Sequence, residues 1–476
     1  MNKDKKAYEH VEIIDAGSEG KAVARVGDLV IFVPFVVPGD IADIQITWRK
    51  RSYLEGKAIR FYKYSEKRDK PFCEHFGTCG GCRWQNMKYE EQLFYKQKQV
   101  EDSLQRIAKI QNAPVLPIIP SVKTRFYRNK LEYTFSNRRW LVEGDQEHDL
   151  SAKDVNALGF HIPMMFDRVL DIRKCHLQED PSNAIRLEAK RYAQENDLSF
   201  YDARTWEGFL RNLLIRISDS GDLMVIMVFK TEVTQEITPM LNHLLKKFPE
   251  ISSLYYVINP KKNDVINDLP MHLFAGKPYI VESMQAYGVE REVSFRIGPV
   301  SFFQTNSTQA RTLYKTAGDF AGFTGNETVY DLYTGTGTIA NYIAGAVGKV
   351  IGIESVPSAI EDARENSRIN DITNALFYTG EAEKILIPEF IAVNGIPDIV
   401  ITDPPRSGMH EKVVKTLLSV KPEKIVYISC NPATQARDIA LLKEKYDLVR
   451  CQPVDMFPHT QHVENIALLI SKKESP

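Results

Sequence analysis

The stretch TVYDLYTGTGTIANYIAGAVGKVIGIE at 328–354 holds two short apolar runs, TVYDLY and KVIGIE, separated by a glycine turn and a helix-length segment. That is the strand–helix–strand order of a doubly wound, mainly parallel sheet. Outward from it, the same alternation begins near residue 291 and runs on through ALFYTG, DIVITD, KIVYIS and HVENIALLI. In such a sheet ligands bind beyond the carboxyl ends of the strands, so the residues that close each run are the candidates for chemistry.

Gly335, Gly337 and Ala340 stand in G-x-G-x-x-[GA] order, and Glu354 closes the next strand 17 residues after Gly337, where a carboxylate meets both hydroxyls of a ribose. A nicotinamide dinucleotide uses the same geometry, and a glycine turn also serves strand-to-helix packing alone. Asp331 at the first strand end, with DPPR downstream, turns the reading toward a methyltransferase. An acidic first turn suits the cationic tail of S-adenosylmethionine better than a pyrophosphate. Further on, DIVITDPPRSG (398–408) and KIVYISCNP (424–432) each stop on reactive residues. Asp403, Pro404 and Pro405 make a stiff polar strand end suited to a planar base beside a cofactor, and Cys430 is placed like a nucleophile on the next. A base-modifying methyltransferase needs a thiol only where the target carbon must be activated. Carbon 5 of uracil is such a target: thiolate addition at carbon 6 turns the ring into an enolate.

The chain has 476 residues, long enough for about three domains. A hydrophobic share of 43%, a charged share of 26% and a net charge of -1 describe an ordinary soluble protein, so any nucleic-acid surface must be local. The charged start MNKDKKAYEH lacks the apolar core of a signal peptide, and the most apolar stretch, LVIFVPFVVPG at 29–39, is short and broken by proline. A cytoplasmic protein without membrane contact is expected.

Residues 8–64 alternate apolar and polar positions in short runs, the pattern of a small closed β-barrel. Between Arg49 and Lys70 nine Lys or Arg face three acidic residues, with Trp48, Tyr53, Phe61, Tyr62 and Tyr64 interleaved. Phosphate attraction with aromatic stacking marks single-stranded nucleic-acid binding, against the plainer reading of a solvated strand edge. KTRFYRNKLEYTFSNRRW at 123–140 repeats the pattern, with six basic residues to one acidic. Between the two lies an amphipathic helix over 89–110, ended by a proline-rich break at 114–120, and strand-rich sequence continues to about 290.

Of six cysteines, Cys73, Cys79 and Cys82 crowd together in C-x5-C-x2-C spacing, and Cys175 is the only other cysteine of the middle region. Four thiolates suit either zinc or an iron–sulfur cluster. Cys451 reads as a core residue. His459 and His462 are an alternative metal pair, unsupported by any further ligand run.

At these motifs the chain resembles the RNA uridine-5 methyltransferases, and within them the subgroup acting on 23S ribosomal RNA. The resemblance covers nearly the whole chain. It implies an α/β multi-domain protein: an OB-like TRAM barrel over 1–65, a central β-rich iron–sulfur domain over 66–290 whose helix is placed to pack on the catalytic domain, and a Rossmann-like methyltransferase domain over 291–476. It implies S-adenosyl-L-methionine as cofactor, bound by Gln304 of SFFQTN, Tyr333, Glu354, Glu381 of YTGEAE and Asp403. It makes Cys430 the nucleophile and Glu464 of MFPHTQHVEN the general base, where residue type alone suggests a buried cysteine and a solvated acid. It favours a 4Fe-4S cluster over zinc on Cys73, Cys79, Cys82 and Cys175, in a structural or RNA-binding role. The partner is RNA: 23S ribosomal RNA first, transfer RNA as the alternative, and a noncatalytic RNA-binding factor as a third reading. A methylthiotransferase, which also carries a TRAM domain, would want a C-x3-C-x2-C triad that this chain lacks.

Overall fold

The computed structural model describes residues 6–142 and 155–473; the first five residues of the charged start lie outside them. Five strands, β1 (Ala7–Ala16), β2 (Lys21–Val26), β3 (Leu29–Pro34), β4 (Ile41–Arg49) and β5 (Leu54–Lys63), close into a barrel in the order β1-β2-β3-β5-β4. Alternation sends Ile13, Ala24, Ile31, Val33 and Ile44 into its interior. The barrel is narrow enough to require glycine at one crossing, since a Cβ on Gly56 would stand 2.5 Å from Ile44 Cγ2.

Helix α1 (Tyr89–Arg106) follows. Next come β6 (Lys130–Ser136), β7 (Ala157–His161), β8 (Val169–Asp171), α2 (Ser182–Glu195), β9 (Leu210–Ile217), β10 (Leu223–Phe229), α3 (Thr234–Lys247), β11 (Ile251–Ile258) and β12 (His272–Gly276). Their strands form one mixed sheet of seven in the order β12-β11-β10-β9-β6-β7-β8. The run LMVIMVF of β10 is apolar throughout because both its faces are covered. Ile237, Met240 and Leu241 of α3 cover one face, and the other joins a core shared with the last domain.

A hairpin of β13 (Ile280–Gln285) and β14 (Glu292–Ile297) leads to α4 (Ser307–Ala321). The last sheet is built from β15 (Thr328–Leu332), α5 (Thr338–Ile343), β16 (Lys349–Glu354), α6 (Pro357–Ile369), β17 (Ala375–Thr379), α7 (Ala382–Ile385), α8 (Pro388–Asn394), β18 (Ile399–Thr402), α9 (Glu411–Val420), β19 (Lys424–Ser429), α10 (Pro432–Leu442), β20 (Tyr446–Val454) and β21 (Glu464–Ser471). Its order is β17-β16-β15-β18-β19-β21-β20, with β15 to β19 parallel and β21 antiparallel to β19.

The division at 290/291 falls inside the β13–β14 hairpin, which packs as one piece on the last domain: Val293, Phe295 and Ile297 share its core, and α6 satisfies the free strand edge through Asn366 and Asn370, which accept from Arg296 N and Ser294 N at 2.9 Å. A two-stranded ribbon has no core of its own and takes that of its neighbour. Helix α1 ends at Arg106 rather than 110, and Val100 and Leu104 lie in one core with α9, α10 and β20. The proline-rich segment then runs beside β20, with Cys451 N donating to Pro114 O and Leu116 N to Cys451 O. Among the described residues no helix is long and apolar enough to cross a membrane.

Candidate active site

The carboxyl ends of β15, β18 and β19 converge on one cleft. At the end of β15, Asp331 is fully buried; its Oδ2 accepts from Thr334 Oγ1 at 2.5 Å and Ala340 N at 3.1 Å, while Oδ1 has no partner. Burial raises this carboxyl to about 7. The chain then turns sharply through left-handed Tyr333, Gly335 and Gly337. At Gly337 a side chain has no room, because a Cβ would lie 2.8 Å from Ala363 Cβ. Glu354 closes β16 and accepts from Gly335 N at 3.2 Å and Val356 N at 3.0 Å, so the acid is fixed against the glycine turn.

Asp403 follows β18; burial and the nearby Asp331 carboxyl raise it to about 7. Cys430 follows β19. Burial pushes its thiol up to about 11, Glu464 and Asp403 add to this, and Arg406 opposes it as a cation and hydrogen-bond partner. Glu464, the first residue of β21, is 5% exposed and held well above the usual carboxylate range by burial and Asp403, again against Arg406. These groups meet because α10 ties three strand ends together. Asn431 Nδ2 and Thr434 Oγ1 donate to Arg406 O at 3.0 and 3.1 Å, joining DPPR to SCNP. Gln435 and Asn465 exchange a reciprocal pair of hydrogen bonds that joins the helix to β21.

The loop between β20 and β21, which delivers Glu464, is anchored by helix α1. Lys96, wholly buried, donates to Asp455 Oδ1 at 2.5 Å and Phe457 O at 3.0 Å; Tyr89 Oη donates to Asp455 Oδ2 at 2.8 Å. Gln92 accepts from His459 N at 2.8 Å and meets His459 Nδ1 at 3.2 Å. His459 is thus a loop support, and it and His462 are neutral because burial lowers both to about 4.

Gln304 lies on the loop before α4, where Asn129 Nδ2 holds its carbonyl at 2.9 Å and its side chain meets the Tyr314 hydroxyl. Tyr333 is half-buried against the core of α9 and α10, its hydroxyl beside His410 and pushed up to about 12 by burial. Glu381 follows β17, where Gly380 N donates to Glu354 O at 2.8 Å, and its own side chain is exposed, ion-paired with Lys384 at 2.5 Å and lowered by that lysine.

A sequence profile described as tRNA (uracil-5-)-methyltransferase matches residues 218–473, and a TRAM domain profile matches 7–59. The chain belongs to the tRNA (uracil-5-)-methyltransferase family. An uncharacterized RNA methyltransferase of Bacteroides thetaiotaomicron is 55% identical over 455 residues, covering 95% of this chain and 99% of its own. One of Porphyromonas gingivalis is 49% identical, covering 98% and 100%. The crystal structure of Pyrococcus abyssi tRNA (uracil-54, C5)-methyltransferase in complex with S-adenosyl-L-homocysteine matches with a TM-score of 0.74 at 28% identity, over 97% of this chain and 100% of that one. The chain is therefore an RNA methyltransferase that uses S-adenosylmethionine, with an N-terminal TRAM barrel and a C-terminal methyltransferase fold.

The enzyme holds a second group of thiols. Cys73, Cys79, Cys82 and Cys175 all line one cavity of about 210 Å³, walled by Leu131, Phe160 and Ile172. Burial pushes Cys82 up to about 12 and Cys175 to about 11, and the neighbouring thiols add to both. Asn183 clamps Cys175 by its backbone N–H and carbonyl. Among the described residues no set of three or more His, Cys, Asp or Glu is arranged to hold a metal ion.

Two groups of the cleft went unassigned in the sequence. Arg406 lies inside the quoted DPPR motif, and its place three residues after Asp403 was the available signal. Tyr314, 4% exposed on α4, has its hydroxyl among Asp403, Asp331 and Glu464, and nothing in an ordinary amphipathic helix marks it.

Proposed function

We propose that the enzyme methylates carbon 5 of a uridine in 23S ribosomal RNA through a covalent Cys430–uracil adduct. The observation that supports it most is the convergence of Cys430, Asp403, Arg406 and Glu464 at adjacent strand ends. The Cys430 thiolate, favoured by Arg406, adds to carbon 6; the carbon 5–carbon 6 π pair moves to the carbonyl oxygen as an enolate. S-adenosylmethionine, when bound, supplies the electrophilic methyl group that carbon 5 takes. Glu464 then removes the carbon 5 proton, the double bond re-forms, and the carbon 6–sulfur bond breaks to release Cys430. Gln304, Glu354 and Asp403 line the cofactor side. Tyr333 and Glu381 complete this set on the resemblance alone.

What supports a group held by thiolates is that the four cysteines share one cavity, where ionising them side by side is costly unless iron takes the place of the protons. Cys73, Cys79, Cys82 and Cys175 would hold a 4Fe-4S cluster in a structural role, since the methyl transfer needs no electron. A second reading keeps the reaction and changes the substrate to transfer RNA; the family description and the P. abyssi enzyme favour it.

The test mixes enzyme and S-adenosylmethionine with 5-fluorouridine-substituted 23S or transfer RNA, beside Cys430→Ala. Fluorine cannot leave as a cation, so a methylated protein–RNA adduct should persist on a denaturing gel and vanish in the variant. An adduct on transfer RNA alone moves the substrate. Unimpaired methylation by Cys430→Ala would sink the thiolate mechanism.

A further inference from the structure

Beside strands β6 and β7 of the central sheet, an open cavity of about 640 Å³ is lined by Ser136, His161, Phe166, Tyr201, Trp206 and Lys262, among others. Its rim is built to display an aromatic ring. Asp202 Oδ1 accepts from Arg204 N at 2.8 Å and Trp206 N donates to Asp202 O at 2.8 Å, closing a tight turn that holds Trp206 in the left-handed region (φ 61°). A bulky residue in that conformation is a strained outlier that points to a use. Trp206 is 43% exposed and Phe166 69%, and Lys262 Nζ lies 3.4 Å from the Trp206 ring centroid.

The floor is polar and unsatisfied. Tyr201, 5% exposed, has a buried hydroxyl with no partner, and His161 Nδ1 is likewise buried without one. Burial lowers His161, so its ring is neutral and offers a donor or an acceptor according to tautomer. Such groups cost free energy unless something hydrogen-bonds them. Arg211 is stacked 4.3 Å from the Tyr201 ring centroid and bound to Asn259 O and Asn263 O, which fixes the tyrosine from behind.

The cavity also has a route to the cleft. Strand β6 starts beside Asn129, which holds Gln304, and ends at Ser136 in the cavity. Its seven residues span about 23 Å at the usual rise. Lys130, Glu132, Thr134 and Ser136 share one face of β6 by alternation, so a polar track joins the two sites.

We propose that this cavity takes an unstacked nucleobase of the substrate RNA, a few nucleotides from the target uridine. Trp206 offers the stacking surface, Tyr201 and His161 meet the base edge, and Lys262 meets a flanking phosphate. The inference rests on the substrate being RNA, not on which RNA it is.

The test measures Kd for unmodified 23S and transfer RNA transcripts with full-length wild-type enzyme, Trp206→Ala, Trp206→Phe and Tyr201→Phe. The wild-type Kd reports on the RNA reading, and the variant-to-wild-type ratio reports on the cavity. Trp206→Ala is expected to raise Kd roughly 5- to 150-fold, the worth of one base–aromatic stack, with S-adenosylmethionine binding and melting temperature unchanged and partial recovery in Trp206→Phe. Oligonucleotides covering the bound loop, each with one abasic site, should then contain one position whose base loss weakens wild-type binding and leaves Trp206→Ala unaffected. Ratios within twofold for Trp206→Ala and Tyr201→Phe, or losses that no abasic position absorbs, overturn the proposal.

Discussion

Cys430 and the pocket cysteines are both pushed toward the neutral thiol by burial, yet their neighbours differ in kind. Around Cys430 stand two carboxyls and one guanidinium, charges that respond to a substrate. Around Cys82 and Cys175 stand Leu131, Phe160, Ile172 and the other thiols, so each thiol raises the next, with Arg186 opposing this at Cys175. The first arrangement suits a thiolate formed transiently against a base; the second suits thiolates held permanently on a common centre.

The difference can be broken from either side. Glu464→Gln removes the base but not the nucleophile, so turnover should fall roughly 10²- to 10⁴-fold while a methylated adduct builds up on ordinary uridine RNA, visible on a denaturing gel. An adduct absent from this variant on natural RNA would argue against Glu464 as base. Lys96→Met strips the cation from buried Asp455 and should cost about 3–5 kcal/mol in denaturant unfolding; adding Asp455→Asn should recover most of it. Cys175→Ser should lower stability by about 1–3 kcal/mol and abolish any visible iron–sulfur absorbance, yet leave Cys430 able to form the fluorouridine adduct. Loss of the adduct at unchanged stability would show that the two thiol sites are not separate. Arg406→Ala is the mildest change. Without the cation the Cys430 thiol rises further, so adduct formation should drop about tenfold near pH 7 and the deficit should shrink as pH rises toward the thiol's own range, read from rates across pH.

Legibility followed strand alternation. The barrel and the last sheet were readable because inward residues recur at period two and apolar runs alternate with helices, and strand ends are where such sheets put chemistry. What was lost depends on contacts distant in sequence. Lys96 in LFYKQKQV looks like a surface lysine until Asp455, 359 residues later, is beside it. Tyr314 looks like a helix core residue. The hairpin divided at 290/291 looks complete in sequence because its dependence on Asn366 and Asn370 is not local.

The 359-residue separation of Lys96 and Asp455 also sets a clock. At the usual pace of synthesis, helix α1 leaves the ribosome about 20–70 s before its partner loop exists. Through that interval its lysine stays in water and Val100 and Leu104 lack their cover. The loop that carries Glu464 is completed only when β20 and β21 arrive, so a growing chain can shape its barrel early but acquires a working cleft only after β21 has been made.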